Sequence, residues 1–573
     1  LFSLAVAFTI SPWMAFRLFR KESSAGDDDS TNEVPDESEG PRESRISRLY
    51  SWIMDPMIER SFLRYLFLAG VATLLIVAMG TVAVGFTTVK MLPHDNKSEL
   101  QVMIDAPEGF TLEETNAAAR ELAYQFRSMP EVTDFQVYVG SSAPFNFNGL
   151  VRHYFLRSAS NLADIQVNLV HKHKRSDKSH ALANQVRQML LPTAERLGID
   201  IKVAEIPPGP PVLSTLVAEV YGPTLDGRLA VAEQVKNVFA STDGVVDVDW
   251  EVEAAGPRLE IHVDREKAML IGITAEQVAR TLRVALGGAE AGLIHDPTTR
   301  ESVPIVLRLD RAQRAHVDDL LQLTVHGGDG RMVPLSELTR VIDTERERSR
   351  YHKNLQPVTY VYGEVAGRFE APVYAILEMK DRLAEIITPL GGELEIITTR
   401  LPEDTTRYMM KWDGEWHITY EVFRDMGIAF AVVMVLIYVL MVGWFKSFIT
   451  PIIIMVPIPL TLVGILPAHG VFGVFFTATS MIGFIALAGI IVRNSILLVD
   501  FINLELRAGE VLEQAVVKAG AVRLVPIFLT QLSTIVGASF MLSDPIFQGL
   551  ALAMISGIIV STALTLGVIP VLY

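Results

Sequence analysis

The sequence predicts an α-helical membrane bundle plus an α+β periplasmic region, with ferredoxin-like βαββαβ subdomains inserted between transmembrane helices. Three observations predict it. Half of the 573 residues are hydrophobic, yet 50 Lys and Arg and 66 Asp and Glu remain, so the chain is part membrane and part soluble. Stretches without charge lie near the start and at the end, at 65–89 between Arg64 and Lys90 and again from Ser447 to Val492. Between them, from Met91 to about Asp425, period-two strand patterns alternate with capped helical ones.

Composition also excludes several classes. There is no cysteine, which rules out disulfides, thiolate catalysis and cysteine metal sites. A net charge of −16 argues against a nucleic-acid partner. No Gly-Lys dipeptide occurs, so a Walker A phosphate loop is absent and no nucleotide or other cofactor is expected.

Residues 1–19 read as the end of a transmembrane helix, apolar from Leu1 to Phe16 and closed by Arg17, Arg20 and Lys21. Tyr573 stops inside an apolar run, and the chain reads as an internal or C-terminal fragment. Residues 20–61 are expected to be a cytoplasmic acidic linker and an amphipathic helix. Glu22 to Glu39 hold eight acids and no base, a composition that cannot bury a core. Ile46, Leu49, Tyr50 and Ile53 then recur at helical spacing beside Arg45, Arg48 and Trp52 until Pro56 interrupts them. Residues 65–89 make a full spanning helix.

The first soluble βαββαβ unit is expected over 95–207. Strand-like Glu99 to Ala106 precedes the capping box Thr111–Glu114, and alternating strands at Phe135/Val137/Val139 and Ile165/Val167/Leu169 follow. A helix from about Ser179 and a strand from Ile199 complete it. The pattern restarts past Pro207–Pro211 in a second unit over 213–255 and 351–400, closed by a strand at Glu393 to Thr398. Residues 256–350 are an inserted docking module with its own strand at Leu259 to Val263 and a capped helix from Thr274. Residues 426–573 then read as five transmembrane helices, with a hairpin at Pro467–Gly470 and a loop from Asn503 to Leu524. Arg507, Lys518, Arg523 and Lys446 mark the cytoplasmic side, which places the soluble region on the opposite, periplasmic side of a multi-pass inner-membrane protein.

Arg493 lies inside one of these apolar runs. A charge at membrane depth costs about 2.5 to 3.5 kcal/mol on insertion scales and normally faces a protein interior, paired with an acid or a carbonyl. Asp500 is about 10 Å further along a helix axis, too far for a relaxed pair.

Gly489-x-x-x-Arg493-Asn494-x-Ile496-Leu497-x-Val499-Asp500 resembles the tenth-helix motif of the resistance-nodulation-division (RND) efflux permeases, and the order of elements resembles the C-terminal half of their drug-type, acriflavine-resistance-like members. Arginine for the usual lysine keeps the charge but adds a planar fork that does not deprotonate. The resemblance implies proton-driven export of amphiphilic small molecules, with Arg493 and Asn494 in the proton relay and the acceptor carboxylates on a helix this sequence does not contain. It also implies a homotrimer in the lipid bilayer, a periplasmic adaptor and an outer-membrane channel. Phe145 and Phe147 fall on the family's Phe-x-Phe-x-Gly loop, and Met103 on a position lining its substrate cleft. Two phenylalanines on a Gly-ended, Asn-rich loop form exposed apolar surface suited to greasy substrates.

His171, His173 and His180, with Lys172, Lys174 and Arg175, read as a basic turn rather than a metal site. Met103, Met129 and Met189 are scattered, which favours a drug-type substrate over the alternative, a heavy-metal ion. A non-transport receptor or translocation accessory is the third class, and it gives no reason for a charge at Arg493.

Overall fold

The computed structural model describes residues 45–206, 209, 212–367 and 370–573. The expected helix end at 1–19, the acidic stretch up to residue 44 and the prolines at 207, 208, 210 and 211 lie outside them.

Helix α1 (Arg45–Glu59) runs through Pro56 instead of breaking there. Tertiary packing offsets the lost hydrogen bond: Met54 and Tyr50 are buried against Ile527, Leu566 and Val571, and the Tyr50 hydroxyl donates to the Leu566 carbonyl at 2.8 Å. The ring lies so close to Gly520 that a Cβ there would meet the tyrosine oxygen at 2.0 Å. Leu49, Trp52 and Ile53 stay exposed on the opposite side of α1.

Six helices among the described residues are long and apolar enough to cross a membrane. They are α2 (Ser61–Ala83), α8 (Glu415–Phe445), α9 (Ile449–Phe472), α10 (Ala478–Arg507), α11 (Leu512–Ser543) and α12 (Gln548–Leu572). Two expected turns move. Helix α9 continues through Pro467–Gly470 to Phe472, because His469 is fully buried and held at both ring nitrogens, by the Ile465 carbonyl and by Ser480. The turn falls at left-handed Gly473, ahead of the Thr477–Ser480 capping box of α10. The cytoplasmic loop shrinks from Asn503–Leu524 to residues 508–511, since α10 and α11 extend to Arg507 and from Leu512. Lys518 on α11 closes that turn with ion pairs to Glu505 at 2.8 Å and Glu510 at 3.4 Å.

In the first soluble unit, β1 (Glu99–Asp105), β2 (Val132–Val139), β3 (Leu162–Leu169) and β4 (Asp200–Ala204) form one antiparallel sheet in the order β2-β3-β1-β4. Helices α3 (Leu112–Gln125) and α5 (Ser179–Leu197) pack Leu122, Leu182, Val186 and Leu190 onto Leu100, Val102 and Ile104 of β1. Because strand side chains alternate, Gln101 and Met103 point to the other face. A short helix α4 (Phe147–Val151) sits between β2 and β3.

The second unit contains β5 (Leu216–Tyr221), α6 (Leu225–Ala240), β6 (Val245–Trp250), β7 (Tyr351–Lys353), β8 (Gln356–Val365), α7 (Pro372–Ala384), β9 (Glu395–Ile397) and β10 (Met409–Gly414). Its sheet runs β7-β8-β5-β10-β9, with β6 also on β8. The strand expected at Glu393–Thr398 does not pair with β5. Strand β10, just ahead of α8, takes that place antiparallel to β5, and β9 lies outside it, parallel. Burial decides the exchange: Tyr408, Met410 and Trp412 enter the core, Trp412 stacking on Phe239 at 5.7 Å, whereas β9 offers only Ile396 and Ile397.

The inserted module stands on a two-stranded stem, Pro257–Val263 with Thr339–Glu345, and has a separate core around Ile273, Val278, Leu335 and Leu338. Its hairpin, Ala289–Ile294 with Val303–Leu307, leaves Leu293, Ile294, Val306 and Leu307 exposed.

The bundle closes on small residues. A Cβ on Gly464 of α9 would lie 2.6 Å from the Ser556 carbonyl of α12. Gly464→Val should therefore cost about 1 to 3 kcal/mol by overpacking. A thermal melt of the detergent-solubilised protein should show a lowered midpoint, and an unchanged midpoint would disprove this tight contact.

Candidate functional site

A polar cluster forms where the soluble units meet the outer end of the bundle. Three separate segments build it. The first, after α2, is clipped to the turn before α10: the Lys90 amide donates to the Phe476 carbonyl at 3.1 Å, the Phe476 amide to Thr88 at 2.8 Å and the Ala478 amide to Met91 at 3.0 Å. This segment carries Lys90 and, past Pro93, His94. The second is the first turn of α5, where the Ser179 amide donates to Asn96 Oδ1 at 3.0 Å and fixes the neighbouring His180. The third ends at Glu370, just ahead of α7, whose helical start is set by Pro372.

The side chains converge at hydrogen-bond distance. His180 Nδ1 lies 2.5 Å from Glu205 Oε2, and its Nε2 lies 3.2 Å from Glu370 Oε1. The second Glu370 oxygen is 3.5 Å from Lys90 Nζ. The His94 ring stacks on His180, centroids 4.2 Å apart and planes within 7°. His94, His180 and Glu370 each offer a donor atom, all within 4.8 Å of one another, and buried His94 Nδ1 has no hydrogen-bond partner.

The two imidazoles are driven apart in basicity. Burial, then the nearby Lys90, His180 and Arg152 charges, hold His94 well below its ordinary value, so it is neutral with a lone pair to give. Burial also disfavours the charged form of His180, but hydrogen bonds to Glu205 and Glu370 outweigh it and push the group up to about 9. Burial would raise Glu370, and its contacts with His180 and Lys90 reverse that, keeping it ionised. Once His180 gives up its proton to an incoming cation, two imidazoles with one or two carboxylates, and no thiolate or thioether, form the donor set of a borderline divalent cation such as zinc, cobalt or nickel.

The cluster opens into a cavity of about 540 Å³. Asp177, His180 and Glu370 line its soluble side, and Phe475 and Gln548 its membrane side. The site is therefore open to this cavity instead of being sealed.

The sequence-predicted residues are distributed differently. Met103 is 1% exposed. It lies on the sheet face away from the core, in a tight crevice of about 10 Å³ shared with Arg152, Lys202, Asp247 and Glu364. That cleft is charged rather than greasy. Phe145 and Phe147 are 69% and 49% exposed; Phe147 opens α4, capped by Asn146, instead of lying in a free loop. Neither ring lines the cavity at His94. Arg493 projects from the exposed side of α10, Asn494 is buried, and no ion pair among the described residues includes Arg493. The basic turn divides: His171 and His173 stay on the surface, 5.2 Å apart, while His180 turns into the cluster. His94 and Glu370 escape sequence reading, because neither has a metal-ligand spacing to any neighbour.

A helical membrane bundle bearing paired α/β units and an inserted module defines an RND permease. The chain belongs to the AcrB/AcrD/AcrF family, whose model matches residues 1–573, and it is a multi-pass inner-membrane protein. It is 26% identical over 376 residues to the cobalt-zinc-cadmium resistance protein CzcA of Cupriavidus metallidurans, covering 63% of this chain and 33% of that one. The nickel and cobalt resistance protein CnrA of the same organism is 26% identical over 374 residues, again 63% and 33%. The swarming motility protein SwrC of Bacillus subtilis is 20% identical over 582 residues, 100% of this chain and 50% of that one. The chain thus spans half or less of these relatives. The crystal structure of a heavy metal efflux pump matches the fold with a TM-score of 0.74 at 20% identity, over 92% of this chain and 51% of that one.

The raised His180 makes a pH prediction. A histidine held up in the folded state adds stability that is full below its ordinary value of 6.5 and is lost as pH rises through about 9. His94, held down, acts in the opposite sense and subtracts stability only as pH falls below 6.5. Melting midpoints measured from pH 6.5 to 9.5 should decline, and His180→Gln should flatten that decline. An identical slope in the variant would contradict the His180–carboxylate contacts.

Proposed function

We propose that the chain is part of a proton-driven efflux pump whose cargo is a divalent metal cation, captured at His94, His180 and Glu370 with Glu205 alongside. The observation that carries this reading is the convergence of these donors at a cavity on the outer rim of the membrane bundle. Relatives named for cobalt, zinc, cadmium and nickel resistance support it. This reading replaces the amphiphile expected from sequence, which needs an apolar cleft where Met103 meets charged side chains.

The two soluble units are read as ferredoxin-like porter subdomains, supported in the first by its strand order and its helices on one face. Arg493 and Asn494 serve the proton relay. Exposed Arg493 is to be paired in the complete pump by acids from the rest of its length, and their protonation releases it. The assembly is a homotrimer working with an adaptor and an outer-membrane channel. The exposed apolar hairpin of the inserted module, at Leu293, Ile294, Val306 and Leu307, supports its use as a docking surface between subunits.

In the full-length pump, His94→Ala and His180→Ala should each raise the cell's zinc or cobalt accumulation, with affinity falling by at least about tenfold. Export unchanged by both substitutions would end the metal reading. Exposed Phe145 and Phe147 favour a second, amphiphilic cargo: Phe147→Ala should alter dye export without touching metal export if that reading holds. Arg493→Ala should abolish proton-linked export of either cargo while leaving membrane insertion intact. Export at the wild-type rate would remove Arg493 from the relay.

A further inference from the structure

We propose that Lys90 is a built-in competitor of the cargo cation for the Glu370 carboxylate, and that its expulsion by cargo is passed to the helix carrying Arg493. The proposal rests on the cation reading above and concerns how that site is regulated.

Lys90 is a full-length cationic side chain only 2% exposed. Among the described residues its ammonium has one carboxylate within ion-pair distance, Glu370 at 3.5 Å, and the face of Phe475 at 5.4 Å. Glu370 is also the carboxylate of the His94–His180–Glu370 group. A divalent cation bound there would set two positive charges against a buried third in a medium where such repulsion is poorly screened. Cargo and the Lys90 ammonium therefore exclude one another at Glu370. The displaced ammonium has another acid nearby, since Glu415, the first residue of α8, lines the same small cavity as Lys90, His94 and Glu364. The other charged groups on that cavity are Arg152, Arg187, His180 and Glu205.

The backbone supplies the second half of the device. The segment that carries Lys90 is itself tied to the bundle, residues 88–91 being laddered to residues 476–478 by three hydrogen bonds. Residue 478 is the first of α10. His94, a proposed ligand, sits four residues beyond Lys90 on the same segment. Cargo binding thus pulls on His94 and pushes on Lys90 within one strand of chain attached to the start of the Arg493 helix.

The test is a zinc titration of the purified full-length pump by calorimetry, with thermal melts as a folding control. Lys90→Gln removes the competitor and should tighten zinc binding by at least about fivefold, the lower end of usual coupling strengths. Lys90→Arg keeps the charge and should bind no tighter than wild type. In proteoliposomes, Lys90→Gln should also uncouple binding from transport, with zinc held more tightly but exported more slowly. If wild type binds zinc and Lys90→Gln binds equally or more weakly, the competitor role is overturned while the cation site stands. If neither folded protein binds zinc, the cation reading fails and this inference with it. A purely structural lysine would give weaker binding in Lys90→Gln, never tighter.

Discussion

The carboxylate of Glu370 joins the first soluble unit to the segment leading out of the membrane. One of its oxygens faces His180 on the first soluble unit, and the other faces Lys90 on the segment leading out of the membrane. Both cations are confined: Lys90 is buried, and His180 is held at its other nitrogen by Glu205. A buried ion left alone would be strongly destabilising, so the three segments are obliged to stay together unless another cation substitutes. That obligation makes the cluster both a structural joint and a place where a metal ion can intervene.

The same physics governs the rest of the interface between the soluble units. Arg187 grips Asp247 at 2.9 Å, Lys202 sits between Asp105 and Asp249, and Arg152 meets Glu364, which also accepts from Ser214 and Thr215. Such pairs return little net stability, because desolvation offsets most of their attraction. They do set a register, since sliding one unit past the other would strand several charges at once. An interface built this way can also open without exposing a greasy surface.

Within the membrane the constraint is close packing. Gly464 lets α9 approach α12, and Gly557 on α12 gives way to Leu487 of α10. Helices α9, α10 and α12 accordingly form the buried centre, while α2 and α8 remain largely exposed along their apolar lengths. Arg493 lies on the α10 face outside that centre.

The sequence by itself determined the elements whose causes are local. The apolar spans, the Thr111–Glu114 and Thr274–Gln277 capping boxes and the alternating strands of the first unit all appear where period and cap residues require them. Tertiary structure decided what depended on distant partners. Pro56 and Pro467 were accommodated inside helices because buried Tyr50 and His469 hold their turns in place. Strand β10 displaced β9 because it buries larger side chains, which no window of sequence compares. The candidate site belongs wholly to this second class. His94, His180 and Glu370 come from three segments with unrelated local patterns, and only the docking of two sheets onto a helix bundle brings their donor atoms within reach of one ion.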